Sequence, residues 1–246
     1  MRVIRIHVPG PLASGTDIAL PAQAGEHLTR VLRLESGAAF VLFDGSGGEY
    51  SATLGTRSGK SVRARVLGHQ PIERESQLEV TLVQGIARGE RMDMIVQKAT
   101  ELGVTRILPV LAERSVVRVD SKQRDRKQEH WQAIAISACE QCGRNRIPEV
   151  TAPLTLDAAM RSLPEAGLRC MLAADAREHL TTVAVRSRDA SLALLIGPEG
   201  GLADAEEALA RANRFTACRL GPRVMRTETA GMAALAALQA VRGDFS

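Results

Sequence analysis

The sequence predicts an α/β protein in two parts, in which a small β-rich part precedes a larger part with a mostly parallel sheet. Short runs that alternate apolar and polar residues, separated by glycine-rich turns, dominate residues 1–70. From residue 78 onward, apolar strand-like runs alternate with segments of helical spacing. A polar connector that contains Pro71 separates the two patterns. We therefore predict one domain over 1–72 and a second over 73–246.

The first part reads as a β-domain with one short helix. Its strands are predicted over 3–8, 39–43, 49–56 and 62–67. The helix is predicted over 26–33, because Leu28, Val31 and Leu32 recur at helical spacing and form an apolar stripe. Arg30 and Arg33 fall outside this stripe, so they are expected on the exposed face.

The second part alternates strands and helices. Strands are predicted over 78–86, 104–111, 168–174, 192–196 and 216–220. Helices are predicted over 91–102, 122–142, 155–163, 204–213 and 230–241, with Thr155 as an N-terminal cap. Ligands bind at the carboxyl ends of the strands in such sheets. The loops that follow the last two strands are therefore the expected site.

Both of these loops are rich in glycine, which lets a backbone approach a ligand closely and expose its N–H donors. The first reads Gly197-Pro198-Glu199-Gly200-Gly201, and the second runs from Leu220-Gly221 to Arg226-Thr227-Glu228-Thr229-Ala230. The G-x-G-x-x-G fingerprint and the Walker A lysine are both absent from the sequence. Hydride transfer and P-loop nucleotide hydrolysis are therefore disfavoured.

The basic residues are unevenly distributed. Residues 1–72 contain 8 Lys and Arg against 5 Asp and Glu, whereas 73–246 contains 24 against 23. The chain uses 28 Arg and 4 Lys, which suits phosphate or base-edge recognition but is equally explained by genomic base composition. Aromatic residues make up only 2% of the chain, so a base-stacking surface is disfavoured.

The chain has the composition of a globular protein. No run approaches the length of about eighteen apolar residues that a membrane span needs. The N-terminal residues alternate apolar and polar side chains, which favours a strand over a signal peptide. We therefore predict a cytoplasmic protein without a membrane segment.

The four cysteines include one C-x-x-C pair, Cys139 and Cys142. The pair suggests a zinc or redox site, but it lies late in a predicted helix and no second ligand pair follows it. Cys170 and Cys218 lie in apolar strand-like runs and are expected to be buried thiols. No metal site is predicted, and the role of the pair is left open.

Five segments, in order along nearly the whole chain, resemble the 16S rRNA uridine-N3 methyltransferases (RsmE) of the SPOUT superfamily. They are Glu26-His27-Leu28 with Val31-Leu32-Arg33, residues 97–104, Glu140-Gln141 with Arg144, and the two glycine-rich loops. One departure is Met225, where the family carries leucine. That replacement conserves side-chain volume and casts little doubt on the resemblance.

The resemblance implies a SPOUT-type α/β fold with a C-terminal trefoil knot, preceded by a small PUA-like β-barrel that helps to dock RNA. It implies S-adenosylmethionine as cofactor, a homodimer with the site at the subunit interface, and 3-methyluridine in 16S rRNA of the small ribosomal subunit as product. The helix over 230–241 independently suggests a buried or intersubunit helix, because it is apolar on most faces.

The cofactor-binding residues that follow from the resemblance belong to the strand ends and the two loops. They are Leu172, Ile196, Gly197, Pro198, Gly200, Gly201, Leu220, Val224, Met225, Thr227, Thr229 and Ala230.

The expected reaction needs help at uracil N3, which carries a proton and is a poor nucleophile until that proton is removed. Arg226 is expected to stabilise the uracil anion or to bind a phosphate. Glu228 is expected to accept the proton or to bond the loop backbone. For Glu199, a carboxylate stabilised by a helix N-terminus is favoured over a catalytic role.

Arg5, Arg30 and Arg33 are the predicted RNA-binding residues, since they lie in the basic first part. For Arg30 and Arg33 the competing interpretation is a solvated helix face. Two other functions stay open: an RNA-binding module without turnover, and a SPOUT methyltransferase for another RNA, such as tRNA ribose 2′-O. The sequence leaves open the exact nucleotide, the proton acceptor, and whether free rRNA or the assembled subunit is the substrate.

Overall fold

A computed structural model describes residues 3–58, 61–117 and 119–245. The chain divides into two compact units. Unit 1 comprises Met1–Glu75 and Cys139–Ile147, and unit 2 comprises Ser76–Ala138 and Pro148–Ser246. This division differs from a single boundary after residue 72. The segment 139–147, predicted inside the second domain, packs with unit 1 instead.

Unit 1 is built on a mostly antiparallel sheet in the order β1-β3-β4-β5-β2. Only the β1–β3 pair is parallel. The predicted strands are confirmed with small shifts of their ends, and β2 was not predicted because three residues carry little periodicity. The strands are β1 (Arg5–His7), β2 (Asp17–Ala19), β3 (Ala39–Phe43), β4 (Glu49–Ser58) and β5 (Ser61–Gln70).

The helical segment of unit 1 differs from its prediction. Helix α1 (Ala22–Glu26) continues as a π-helical turn over His27–Val31, in which the Leu32 amide donates to the His27 carbonyl. This wider turn breaks the 3.6-residue period on which the apolar stripe depended. Leu28 is fully buried, but Val31 is 67% exposed. The predicted stripe is therefore wrong beyond Leu28.

Unit 2 contains an eight-stranded sheet in the order β11-β13-β10-β12-β6-β7-β8, with β9 also paired to β7. Every pair in it is parallel. The five predicted strands are confirmed, and the three unpredicted ones have two residues each. The strands are β6 (Glu79–Gly85), β7 (Val104–Leu111), β8 (Glu149–Val150), β9 (Leu154–Thr155), β10 (Leu168–Leu172), β11 (Glu178–His179), β12 (Ser191–Ile196) and β13 (Thr216–Arg219).

Helices cover both faces of this sheet, because alternate residues of the central strands point to opposite sides. Leu194 of β12 lies in one apolar core with α2, α5 and α7, whereas Leu195 lies in the other with α4 and α6. Thr155 caps α4 as predicted, accepting from the Ala158 amide at 3.2 Å. The helices are α2 (Glu90–Glu101), α3 (Ser121–Cys142), α4 (Leu156–Arg161), α5 (Leu180–Arg186), α6 (Asp204–Ala212) and α7 (Thr227–Arg242).

Helix α7 is buried within its own unit. Leu235 and Leu238 lie in the core that it shares with α2 and α5, and Met232 is half-buried. One face of α7 is therefore buried inside this chain, whereas Val241 near its end is 37% exposed. The homodimer and the trefoil knot stay predictions. No helix in the described ranges is long and apolar enough to cross a membrane.

Candidate active site

A cavity of about 710 Å³ opens at the carboxyl ends of β10, β12 and β13. Ligand sites fall in the range of about 300–1,000 Å³, so this cavity has room for a cofactor-sized molecule. The chain that follows each of these three strands lines it: residues 173–175, 197–202, and 220–221 with 223–227. The cavity therefore lies at the strand ends where the sequence places the site, and ligand binding there stays a prediction.

Eleven of the twelve predicted cofactor-binding residues line this cavity. Thr229 does not; it is exposed in the first turn of α7. Contact of these residues with a cofactor stays a prediction. The cavity-lining residues are Leu172, Ile196, Gly197, Pro198, Gly200, Gly201, Leu220, Val224, Met225, Thr227 and Ala230.

A short hydrogen-bond chain ties the two glycine-rich loops together. The Thr227 hydroxyl donates to the Gly197 carbonyl at 2.7 Å and accepts from the Gln84 side-chain amide at 2.9 Å. Gln84 is fully buried at the end of β6, and its amide also donates to the Gly85 carbonyl. Sequence reasoning missed Gln84, although a glutamine inside an apolar strand was an available signal.

The glycines around the cavity differ in what a side chain would meet. A Cβ on Gly85 would lie 2.5 Å from the Pro198 nitrogen, and one on Gly197 would lie 3.1 Å from the backbone of Gly201. Gly201 itself has a positive φ of 72°, which strains other residues. Gly221 has no heavy atom within 4 Å of a Cβ position. Gly221 also lines the cavity, so it is a position at the cavity where a Cβ would meet no described atom.

Glu199 is held by the segment that precedes α2. Its Oε1 accepts from the Arg88 amide at 2.9 Å and from the Arg91 guanidinium at 3.0 Å. Desolvation raises the pKa of Glu199, but these hydrogen bonds outweigh it and lower the pKa below the usual value. The amide that Glu199 accepts from lies two residues before α2, so the favoured sequence interpretation, a carboxylate at a helix N-terminus, is not contradicted and stays a prediction. Glu199 fixes the first loop to residues 88–91.

The two catalytic candidates occupy different environments. Arg226 is exposed and lines the cavity, and its side chain forms no hydrogen bond or ion pair with any other described residue. Glu228 is nine-tenths buried, with Oε1 3.7 Å from Arg91 Nε and Oε2 without a hydrogen-bond partner among the described residues. It does not line the cavity. Arg226 is thus accessible to a ligand, whereas Glu228 lies beneath the surface.

Arg5 was predicted to bind RNA, but the structure buries its side chain inside unit 1. Its side chain is only 7% exposed and is ion-paired with Glu49. The same guanidinium donates to the Asn145 side chain at 2.5 Å and to the Arg144 carbonyl at 3.1 Å. Three hydrogen bonds hold this guanidinium inside unit 1, and its Nε is buried without a partner among the described residues, so burial closes it to an external phosphate.

Arg30 and Arg33 are both exposed, as predicted. Arg30 pairs with Glu26 one helical turn earlier. Arg33 follows the π-helical turn with a φ of 54°, a conformation that residues other than glycine rarely adopt. Their contact with RNA stays a prediction.

Glu140 and Arg144, which belong to the segments that resemble the methyltransferase family, have structural roles in unit 1. Glu140 accepts from the His7 amide at 2.9 Å, and burial raises the pKa of its carboxyl group. Arg144 donates to both carboxylate oxygens of Glu75. These bonds explain why the segment 139–147 packs with unit 1.

The C-x-x-C pair lies at the end of α3. Cys139 is buried, its thiol lies 3.7 Å from the Arg146 carbonyl, and burial raises its pKa to about 12. A thiol with so high a pKa is a poor nucleophile and a poor metal ligand at neutral pH. The described residues contain no group of three or more His, Cys, Asp or Glu side chains that would hold a metal ion.

The chain matches two family descriptions: "RNA methyltransferase domain" over residues 74–239 and "RNA methyltransferase PUA domain" over residues 20–67. Among curated proteins it is similar to the ribosomal RNA small subunit methyltransferase E of Bacillus subtilis. The two are 32% identical over 230 residues, which cover 89% of each chain. The protein of the same name from Synechocystis is 34% identical over 218 residues, covering 87% of this chain and 70% of that one.

Two solved structures are similar over the full length of both chains. A putative methyltransferase from Legionella pneumophila, in complex with bound S-adenosylmethionine, is 41% identical with a TM-score of 0.94. A ribosomal RNA small subunit methyltransferase E from Neisseria gonorrhoeae, bound to S-adenosylmethionine, is 36% identical with a TM-score of 0.91.

Proposed function

Because the chain belongs to the RNA methyltransferase family of the ribosomal RNA small subunit methyltransferase E proteins, we propose that it methylates N3 of a uridine in 16S rRNA. S-adenosylmethionine-dependent rRNA methylation is the activity of this enzyme. The choice of uridine N3 goes further and is our proposal. The proposal depends mainly on one observation: both glycine-rich loops line a single cavity, and the Thr227 hydroxyl of the second loop is hydrogen-bonded to Gly197 of the first.

The cavity fits S-adenosylmethionine in size and chemistry. Apolar side chains suited to an adenine ring line it alongside loop backbone, and Gly221 leaves open space. The residues proposed to hold the cofactor include Leu172, Ile196, Leu220, Met225 and Ala230. When bound, the cofactor supplies a methyl group on a positively charged sulfur, which needs no further activation.

The protein's task is to position uracil and to stabilise its anion. Loss of the N3 proton spreads negative charge over the two neighbouring carbonyl oxygens. The exposed, unpartnered Arg226 guanidinium presents a planar fork of donors at the cavity, which suits such an oxygen. Glu228 Oε2 has no donor and keeps its capacity to accept a proton. Since Oε2 is buried, that role requires the loop to open when RNA binds.

The proposed partner is 16S rRNA in the small ribosomal subunit, and the proposed location is the cytoplasm. We further propose that the protein is a homodimer. Light scattering should give twice the 26.4 kDa chain mass at micromolar concentration. A monomer mass in a fully active preparation would overturn the dimer.

Two alternatives are separated by one experiment. Nucleoside mass spectrometry of rRNA and tRNA from cells with and without this protein should show loss of 3-methyluridine from 16S rRNA, restored by the purified protein with S-adenosylmethionine. Unchanged RNA modification would favour a binding module without turnover. Loss of a 2′-O-methylated nucleoside from tRNA would favour another RNA substrate.

Gly221→Val should weaken S-adenosylmethionine binding by roughly tenfold or more, because Gly221 lines the cavity and a Cβ there meets no described atom, so the added side chain competes with the cofactor for space. Isothermal titration calorimetry measures this directly. The matched control is Gly68→Val in β5 of unit 1, where the nearest atom to a Cβ is the Ser51 hydroxyl at 3.8 Å. Equal affinities for Gly221→Val and the wild type would remove Gly221 from the cofactor site.

Replacing Arg30 and Arg33 together with alanine should weaken binding to the small ribosomal subunit and flatten its salt dependence, because each lost phosphate contact reduces counterion release. Cofactor affinity should stay unchanged, since neither residue lines the cavity. The control is Arg65→Ala, which removes an exposed arginine paired with Asp17 in the same unit. A salt dependence equal to that of the wild type would show that these arginines form only a solvated face.

A further inference from the structure

Arg223 lies at the mouth of the cofactor cavity without a partner. It belongs to the segment between β13 and α7, lines the cavity and is exposed. In the part of the chain that the structure describes, its side chain forms no hydrogen bond or ion pair, and among the five cavity arginines only the side chain of Arg226 shares this condition. Val224, between these two arginines, is 84% exposed. Two unpaired guanidinium groups therefore lie at one opening.

The other three arginines that line the cavity are engaged by the protein itself. Arg91 donates to Glu199 at 3.0 Å, Arg114 donates to the Leu202 carbonyl at 3.0 Å, and Arg219 lies 3.3 Å from the His179 ring nitrogen. These contacts fix loops and strand ends. Arg223 and Arg226 have no such task, so their guanidinium groups are available to a ligand.

The charges around the cavity indicate what kind of ligand these two arginines bind. Its five arginines face three acidic residues, Asp175, Glu199 and Glu207. S-adenosylmethionine brings a further positive charge on sulfur, which like charges at the mouth would repel. An anion next to these arginines would relieve that repulsion, and an RNA strand that delivers its base to the cavity carries one on each phosphate.

We propose that Arg223 binds a phosphate of the RNA strand that carries the target nucleotide. The inference rests on the proposed function and adds a backbone contact in unit 2 to those expected from Arg30 and Arg33 of unit 1. A guanidinium suits this contact because its parallel N–H donors match two phosphate oxygens. Arg226 keeps its separate role toward the uracil oxygens.

The test measures binding of unmethylated small ribosomal subunits at several salt concentrations. Arg223→Ala should weaken binding by roughly threefold to tenfold and reduce the slope of log affinity against log salt by about 0.7. Arg223→Lys should keep most of the slope, because lysine still contacts phosphate as a point charge. S-adenosylmethionine affinity, measured by calorimetry, should change less than about twofold.

The matched control is Arg188→Ala, which removes an exposed arginine of unit 2 that does not line the cavity. It should leave both affinities and the salt slope unchanged. Equal slopes for Arg223→Ala and the wild type would overturn the proposal. A selective loss of cofactor affinity would overturn it as well, and would assign Arg223 to the cofactor carboxylate. Failure of the wild-type protein to methylate subunits would refute the proposed function, while the salt slope would still decide the role of Arg223.

Discussion

Arg226→Ala should methylate small ribosomal subunits at least about a hundredfold more slowly than the wild type in single turnover with saturating RNA and cofactor. The reason is that negative charge on the uracil oxygens grows as the N3 proton leaves, so a fixed guanidinium stabilises the transition state more than the ground state. A factor of one hundred corresponds to about 2.7 kcal/mol of barrier. Subunit affinity should fall by much less than the rate.

Arg226→Lys tests the geometry of this contact. Lysine keeps the charge but offers a point charge in place of a planar fork, so its rate should also be impaired. The fold should survive both changes, because the Arg226 side chain is exposed and unbonded in the described structure. The control is Arg161→Ala, which removes an exposed pair with Asp157 on α4. A normal single-turnover rate for Arg226→Ala would exclude it from the chemistry and make Glu228→Gln the next variant to measure.

The glycine-rich loops could be predicted from sequence because their information is local. Each loop directly follows an apolar strand, and the carboxyl ends of parallel strands meet at one edge of a sheet. That rule placed Leu172, Gly197 and Leu220 around one cavity, although they are far apart in the chain. Asp175 follows β10 and also lines the cavity, so the same rule could have predicted it.

The residues that fasten the site could not be found in this way. Arg91 reaches Glu199 over more than a hundred residues of sequence, and Arg114 reaches Leu202 over nearly as many. Neither arginine belongs to a glycine-rich loop, and nothing in its local pattern distinguishes it from a solvated charge. Such contacts exist only after the sheet has brought the loops together.

Two expectations for unit 1 differ from the structure for equally physical reasons. Val31 was placed in an apolar stripe by the residue spacing of an α-helix, whereas the chain forms a π-helical turn there. The reading of Arg5 as an RNA contact assumed that a basic residue in a basic domain is exposed. Its partners Arg144 and Asn145 come from a distant segment that joins unit 1, which the linear domain boundary could not anticipate.

Arg5→Ala should destabilise unit 1 by about 3 kcal/mol, because it leaves the buried Glu49 carboxylate with one of its two arginine partners and the Asn145 oxygen without its donor. Native-state hydrogen exchange of the β4 and β5 amides isolates this unit, and those amides should exchange about a hundredfold faster. Arg65→Ala, the exposed counterpart, should change exchange by less than about fivefold.

The destabilisation caused by Arg5→Ala should also depend on pH, and the ionisation of Glu49 determines in which direction it changes. Desolvation raises the pKa of Glu49, but hydrogen bonds from Arg74 and Arg5 outweigh it and lower the pKa below 4.5. A depressed carboxyl pKa stabilises the folded state above the unfolded pKa, and this stabilisation is lost as the pH falls through the folded value. The difference in exchange between Arg5→Ala and the wild type should therefore be full at neutral pH and shrink below pH 4.5. A difference independent of pH would show that Arg5 acts through packing and not through the Glu49 charge, and unchanged exchange at pH 7 would return Arg5 to the set of possible RNA contacts.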